Sequence, residues 1–312
     1  MKRILQCTAF ILILLLLLML SSFLFAPTED QKAFAMADEA VNGILGEKEN
    51  SIDVLILGDS EAYAAISPMQ MWQEHGFTSY VCATSAQYLS LSEVLLKQSF
   101  QRQSPKVVIL EANAIYRKML LDNAIVTGAE NLFSVFKYHN RWKSIGENHS
   151  PDPAENVWTD DFKGFYYNSG VMKTNKTNYM VKTDEVKAIE SVNEDYVKSI
   201  AEFCRANGAE FLLVNTPSAK NWSYKKHNGI RALADKYEIT YIDLNLLKDE
   251  VPIDWKNDTK DKGDHVNYSG AVKTTKFLGK YLKENYSLPD HRADDAYSGW
   301  NDALTRYLKA VA

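Results

Sequence analysis

The residues best able to do chemistry in this chain stand far apart in it. A serine set between acids, Gly58-Asp59-Ser60-Glu61, follows the apolar run Val54, Leu55, Ile56 and Leu57. A histidine set among acids, Asp261-Lys262-Gly263-Asp264-His265, comes near the C-terminal end. Acyl chemistry through serine needs a hydroxyl, an imidazole to take its proton, a carboxylate to orient the imidazole, and donors for the oxyanion. Ser60 supplies the hydroxyl, although on its local sequence alone it reads equally as a helix N-cap. His265 supplies the imidazole, although a lone histidine there reads first as an exposed loop residue. Two acids compete to orient it. Asp264 adjoins His265, and neighbouring side chains commonly diverge; Asp261 reaches the ring if the chain folds back through the flexible Gly263, and is slightly favoured.

The elements that must hold these residues are legible as short apolar runs. Val54–Leu57 reads as a strand buried on both faces, as do 107–110 and 211–214, with 78–81 and 239–242 as further candidates. Helical stretches fall between them at about 90–102, 185–206 and 223–237, and a last helix at about 268–285 follows His265. Alternating strands and helices imply an α/β fold: a three-layer sandwich around a central parallel sheet of about five strands. Ser60 then stands at the carboxyl edge of the sheet, where such folds bind ligands.

Lys2-Arg3 is followed by an uncharged, mostly aliphatic stretch from Ile4 to Thr28, long enough to cross a bilayer as a helix. Pro27 makes the end of that stretch a poor cleavage site, so residues 1–30 are expected to form an uncleaved signal anchor, with 31–50 as a juxtamembrane linker and 51–312 outside the cytoplasmic membrane. The formal net charge is −5, with no long basic tract, which argues against a nucleic-acid partner. Of three cysteines, Cys7 lies in the apolar stretch, and Cys82 and Cys204 read as buried free thiols. No CxxC or HExxH spacing occurs, and neither a metal nor another cofactor is expected.

The strand ending in GDS, the late acid-histidine pair and the order of serine, acid and histidine resemble the SGNH/GDSL hydrolase superfamily. "LGDSEAY" (57–63) matches its first block, with Glu61 where leucine is usual. "CATSAQYL" (82–89) is similar to the second, with Ala86 on the glycine, and "VILEANAIY" (108–116) to the third, with Asn113 on the oxyanion asparagine and Glu111 and Ala114 in place of its usual glycine and aspartate. "DKGDHVNYSGA" (261–271) looks like the fifth, with Lys262 where the acid usually stands. The resemblance implies a flavodoxin-like fold, Ser60 and His265 as catalytic residues with Asp261 or Asp264, and an oxyanion hole made by the N–H groups of Ser60 and Ala86 and the Asn113 amide. The apolar stretch, "YHNRWK" (138–143) and "NTPSAKNW" (215–222) further resemble extracytoplasmic SGNH proteins related to DltD and to alginate-type O-acetylases. That likeness implies acyl transfer or ester hydrolysis on a cell-envelope glycan or teichoic-acid-like polymer, beside a membrane-bound O-acyltransferase.

Residues 114–180 interrupt the pattern with an aromatic-rich insertion, expected to be a lid or substrate wall. Gln87, His139, Arg141 and Trp142 are candidate substrate contacts. Lys220, Lys225, Lys226 and His227 are expected on a solvated helix face, and Asp290-His291-Arg292 in a solvated turn. Glu61 either repels anionic substrates beside the serine or points away from it.

Overall fold

The computed structural model describes residues 2–25, 39–118 and 159–312, which fall in two units. In one, helix α1 (Lys2–Phe25) carries the apolar stretch; its segment Gln6–Phe23 has a mean hydropathy of 2.3 and is not buried, so by length and composition it is able to span a membrane.

The other unit is α/β. Five parallel strands, β1 (Val54–Gly58), β2 (Ser79–Ala83), β3 (Val107–Glu111), β4 (Glu210–Asn215) and β5 (Thr240–Asp243), pair in the order β2-β1-β3-β4-β5. All residues of β1, β2 and β3 are buried, which is why 54–57 and 107–110 read as continuous apolar runs rather than alternating ones. Truncating a central side chain such as Leu55 to alanine would cost about 2–5 kcal/mol. Strand order reverses between β1 and β3, and at such a switch point the loops leaving the two strands diverge and open a crevice.

Helices cover the sheet in two groups. Short α3 (Ser60–Ala65), α4 (Pro68–His75), α8 (Tyr268–Asn285) and α9 (Ser298–Val311) pack together, as do α5 (Leu89–Ser99), α6 (Ser191–Ala206) and α7 (Tyr224–Tyr237). This is the expected three-layer sandwich. Helices α4 and α9 lie beyond the sequence reading. Gly76 in the left-handed conformation closes α4 and Ser67 caps its start, a signal available in the sequence.

The expected linker departs from the reading at its C-terminal end. Short α2 (Glu39–Asn42) and the 3₁₀ turn Gly43–Gly46 belong to the α/β unit, with Val41, Ile44 and Leu45 buried. Glu47, also buried, accepts a 2.7 Å bond from the Lys163 ammonium, itself 2% exposed and 4.7 Å from the Trp300 ring. Breaking one partner of such a buried pair costs about 3–5 kcal/mol, so the pair clamps the segment before β1 to the C-terminal part of the insertion. His291 is likewise no solvated residue: it stacks on Tyr297 at 3.9 Å, and Asp53 lies 3.1 Å from its Nε2.

Candidate active site

The tip of β1 is shaped by close approach. A Cβ on Gly58 would stand 2.7 Å from Cβ of Glu111 and 2.8 Å from Cβ of Ala62, so only glycine lets β1 lie against both β3 and α3 here. Asp59, not Ser60, caps α3, its Oδ1 accepting from the Glu61 N–H at 3.0 Å. Its Oδ2 accepts from Arg117 Nη2 at 2.6 Å. The serine side chain is therefore left free of the capping role that its local sequence allows.

Its partner is His265. Nε2 of His265 lies 2.8 Å from Ser60 Oγ, and Nδ1 of the same ring lies 2.6 Å from Asp261 Oδ2. The other oxygen of Asp261 accepts from the His265 backbone N–H at 2.7 Å, so one carboxylate fixes both the ring and the chain that carries it. The loop does fold back through Gly263, which has φ +86° and would meet Thr174 and Ala219 if it bore a Cβ. Thr259 Oγ1 closes the turn, accepting from the Gly263 N–H at 2.8 Å and donating to the His265 carbonyl at 2.9 Å. Asp264 turns elsewhere: its Oδ1 is 4.0 Å from His265 Nδ1, while Oδ2 accepts from the Lys220 ammonium at 2.5 Å and Oδ1 from the Asn221 amide. Burial pushes the Asp264 carboxyl up, but Lys220, the His265 ring and Asn221 together leave it below the usual range. Asn267, two residues on, caps α8 without help from the histidine.

Asn113 joins the site from the end of β3. Glu111 caps the 3₁₀ turn Ala112–Tyr116 by accepting from the Asn113 N–H at 2.9 Å, and its other oxygen accepts from Thr216 N–H at 3.2 Å and Asn215 Nδ2 at 3.4 Å. Burial, with Asp59 nearby, raises the Glu111 carboxyl well above the ordinary range. Glu61 is also buried and raised, first by desolvation and then by Glu111 and Asp59; Asn221 Nδ2 donates to it at 2.8 Å. Glu61 thus neither repels ligands from the surface nor points away: it is packed beneath the site.

Together Asp59, Ser60, Glu61, Asn113, Tyr116, Arg117, Asn221, Lys226, Asp264 and His265 line a cleft of about 330 Å³. Ala86 stands outside that lining, exposed at the tip of a turn with φ +55°. Gln87 is a correction. It is buried, accepts from Thr84 N–H and Oγ1, and donates to Ser92 Oγ at 2.9 Å and the Cys82 carbonyl, so its amide is spent inside the turn and has nothing left for a substrate. His139, Arg141 and Trp142 lie outside the described residues. Of the insertion, Tyr116 reaches the cleft and Tyr166 packs on Tyr63 with ring centroids 5.6 Å apart.

The solvated helix-face reading of 220–227 holds for Lys225; Lys220 is exposed too, but on the turn before the helix. His227 is buried, and Lys226 enters the cleft, donating to Asn113 Oδ1 at 3.0 Å and to the Asn221 carbonyl at 2.6 Å. Together with Arg117 and Asn221, Lys226 is what the sequence reading missed. Its helix position gives no hint, since Ser223 starts α7 and a lysine in the first turn normally reaches solvent.

Glu61, Asp264 and His265 offer ligand atoms within 4.8 Å of one another, the spacing a metal would need. The arrangement suits hydrogen bonding better. Both ring nitrogens of His265 face other partners, and the Lys220 ammonium and the Asn221 amide already take up the two oxygens of Asp264.

No family model matches the chain, and neither does any curated protein. Among solved structures it is similar to a GDSL-like lipase from Bacteroides thetaiotaomicron (10% identity over 82% of this chain and 96% of that one, TM-score 0.36). It is also similar to TesA (13%, 74% and 98%, 0.39) and to the acetyl xylan esterase AlAXEase (14%, 73% and 99%, 0.38). At these values the likeness is one of general shape, and the chemistry of this chain rests on its own residues.

Proposed function

We propose that this protein is a serine-dependent ester hydrolase or acyl transferase. The observation that carries the reading is the continuous chain from Ser60 Oγ through His265 Nε2 and Nδ1 to Asp261. In the reaction His265 Nε2 takes the hydroxyl proton as Ser60 attacks the ester carbonyl, and Asp261 stabilises the imidazolium. The Asn113 amide and the Ser60 N–H, at the start of α3, receive the oxyanion. Collapse of the tetrahedral intermediate leaves an acyl-Ser60 ester and an alcohol protonated by His265. Water or a second alcohol then repeats the steps in reverse.

The cleft's lining supports a small acyl group. Its side chains are polar or charged apart from the Tyr116 ring, and none is aliphatic, so a fatty chain would find no apolar surface to bury. Helix α1 and the resemblance to extracytoplasmic SGNH proteins support a site held outside the membrane. There it works on a cell-envelope glycan or polymer, beside a membrane-bound O-acyltransferase. The test pairs chemistry with cells. A fluorophosphonate should label the wild type and not Ser60→Ala, and cells carrying Ser60→Ala should change the acyl content of their surface polymer. Equal labelling of both proteins sinks the reading.

A further inference from the structure

A lysine ammonium carries three donors and no acceptor, so whichever end of a neighbouring amide it touches must be the oxygen. Lys226 Nζ lies 3.0 Å from Asn113 Oδ1, which sets the amide with Oδ1 toward the lysine and Nδ2 left to donate. The lysine is itself held. Its second bond goes to the Asn221 carbonyl at 2.6 Å, and the ammonium sits 5.2 Å from the Tyr116 ring centroid and 5.6 Å from that of Trp222, within cation–π range. Tyr116 is fixed in turn by its hydroxyl, which donates to the Lys226 carbonyl at 2.8 Å. Asn221 also bonds Glu61 and Asp264, so the anchor of Lys226 is shared with the loop that carries His265. Taking a lysine this far out of water has a cost, seen in an ammonium pulled below its usual range by burial against the pull of Glu111, Glu61 and Asp59. A solvated helix lysine incurs none of that.

We infer that Lys226 is a positioning residue of the acyl-transfer site, holding the Asn113 side chain in the one amide orientation that donates to the oxyanion. The inference rests on the proposed serine chemistry. Without Lys226 the amide is free to rotate by half a turn, presenting an oxygen to a developing negative charge. The loss therefore falls on the transition state rather than on substrate binding.

The test is a double-mutant cycle on the full chain in detergent, with 4-nitrophenyl acetate as the probe. Asn113→Ala should lower kcat by about 10²–10³, the range for one oxyanion donor. Lys226→Met keeps the aliphatic stem and should lower kcat by about 10–100-fold with KM within about threefold. Lys226→Arg, which still donates, should recover part of that loss. The decisive result is non-additivity: adding Lys226→Met to Asn113→Ala should slow the enzyme no further. Additive losses, or a raised KM at unchanged kcat, overturn the inference. If thermal melting shows that Lys226→Met is unfolded, Lys226→Gln takes its place in the same cycle. Ser60→Ala separates the two claims: turnover surviving in it removes the serine reading and the inference together, whereas additive losses with Ser60→Ala inactive remove the inference alone.

Discussion

Two of the histidine-aspartate pairs in the α/β unit have nearly equal length but different settings. His265 Nδ1 stands 2.6 Å from Asp261 on the loop before α8, and His227 Nδ1 stands 2.8 Å from Asp243 between α7 and the end of β5. Asp243 is saturated with donors: Trp222 Nε1, the Tyr241 hydroxyl, and the Asn245 N–H and Nδ2 all reach it. Its histidine packs between the rings of Tyr224 and Tyr241, with centroids 5.3 and 5.5 Å away. Asp261 and His265 are more exposed, and the far nitrogen of His265 meets a hydroxyl at the cleft. The contact between a ring nitrogen and a carboxylate is thus common to both regions. What distinguishes them is the third group, the Ser60 hydroxyl, and the cleft that it lines, so of these two pairs the first is the one placed to relay a proton to a ligand.

Substitutions at the two pairs should separate most widely in turnover. Ser60→Ala should abolish it. Asp261→Asn should lower kcat by about 10⁴, because the neutral amide no longer stabilises the imidazolium or fixes its tautomer. Asp243→Asn should leave kcat of the folded fraction within about threefold, yet destabilise the fold by about 1–3 kcal/mol, because an amide NH₂ meets donors that had an acceptor. Urea unfolding and single-turnover kinetics on the same samples check both. Comparable kinetic losses at Asp261 and Asp243 would break the distinction.

Much of this was legible before any coordinates. β1, β3 and β4 are readable because their buried faces turn the pattern into a plain apolar run, whereas β2 and β5, which carry Ser79, Thr240 and Asp243, read only as candidates. Gly263 allows the fold-back to Asp261, which the sequence favours only slightly over Asp264. Three of the assignments that fail share one cause: the side chains of Lys226, His227 and Glu47 depend on partners away from them in sequence. Lys226 faces Asn113, His227 faces Asp243, and Glu47 faces Lys163 of the insertion. No local periodicity reports such a partner, so a long polar side chain on a helix defaults to solvent. Gln87 failed differently, since its partners are within five residues, but turn residues that bond their own backbone look the same as turn residues that bind ligands.

A smaller effect is expected at the acid that competes with Asp261. Asp264→Asn removes the charge facing Lys220 but keeps an oxygen for Asn221, and leaves the Asp261–His265–Ser60 chain in place. Turnover should fall by less than about tenfold, against about 10⁴ for Asp261→Asn. The reverse ranking would assign orientation to Asp264 and dismantle the comparison of the two pairs.

The subtlest consequence concerns charge balance. Around Asp243 the partners are donors, whereas around Ser60 the buried Glu61 shares its surroundings with Glu111 and Asp59, and its carboxyl is raised well above its usual range by desolvation first and by those neighbours second. A group with a raised acid pKa binds more protons folded than unfolded. Stability then falls as pH rises from the unfolded carboxyl value, about 4.3, toward the folded one. Glu61→Gln retains an oxygen for Asn221 and removes that titration. The variant should therefore match the wild type below that value and melt progressively higher than it as pH rises through the window. The gain should be of order 1 kcal/mol, or a few degrees. Thermal melts at pH 4, 6 and 8 read the trend directly. A constant offset across all three would mean that Glu61 does not titrate there. A fall at high pH would mean that its negative charge supports the fold, and that the acid cluster under the serine is as well compensated as the one around Asp243.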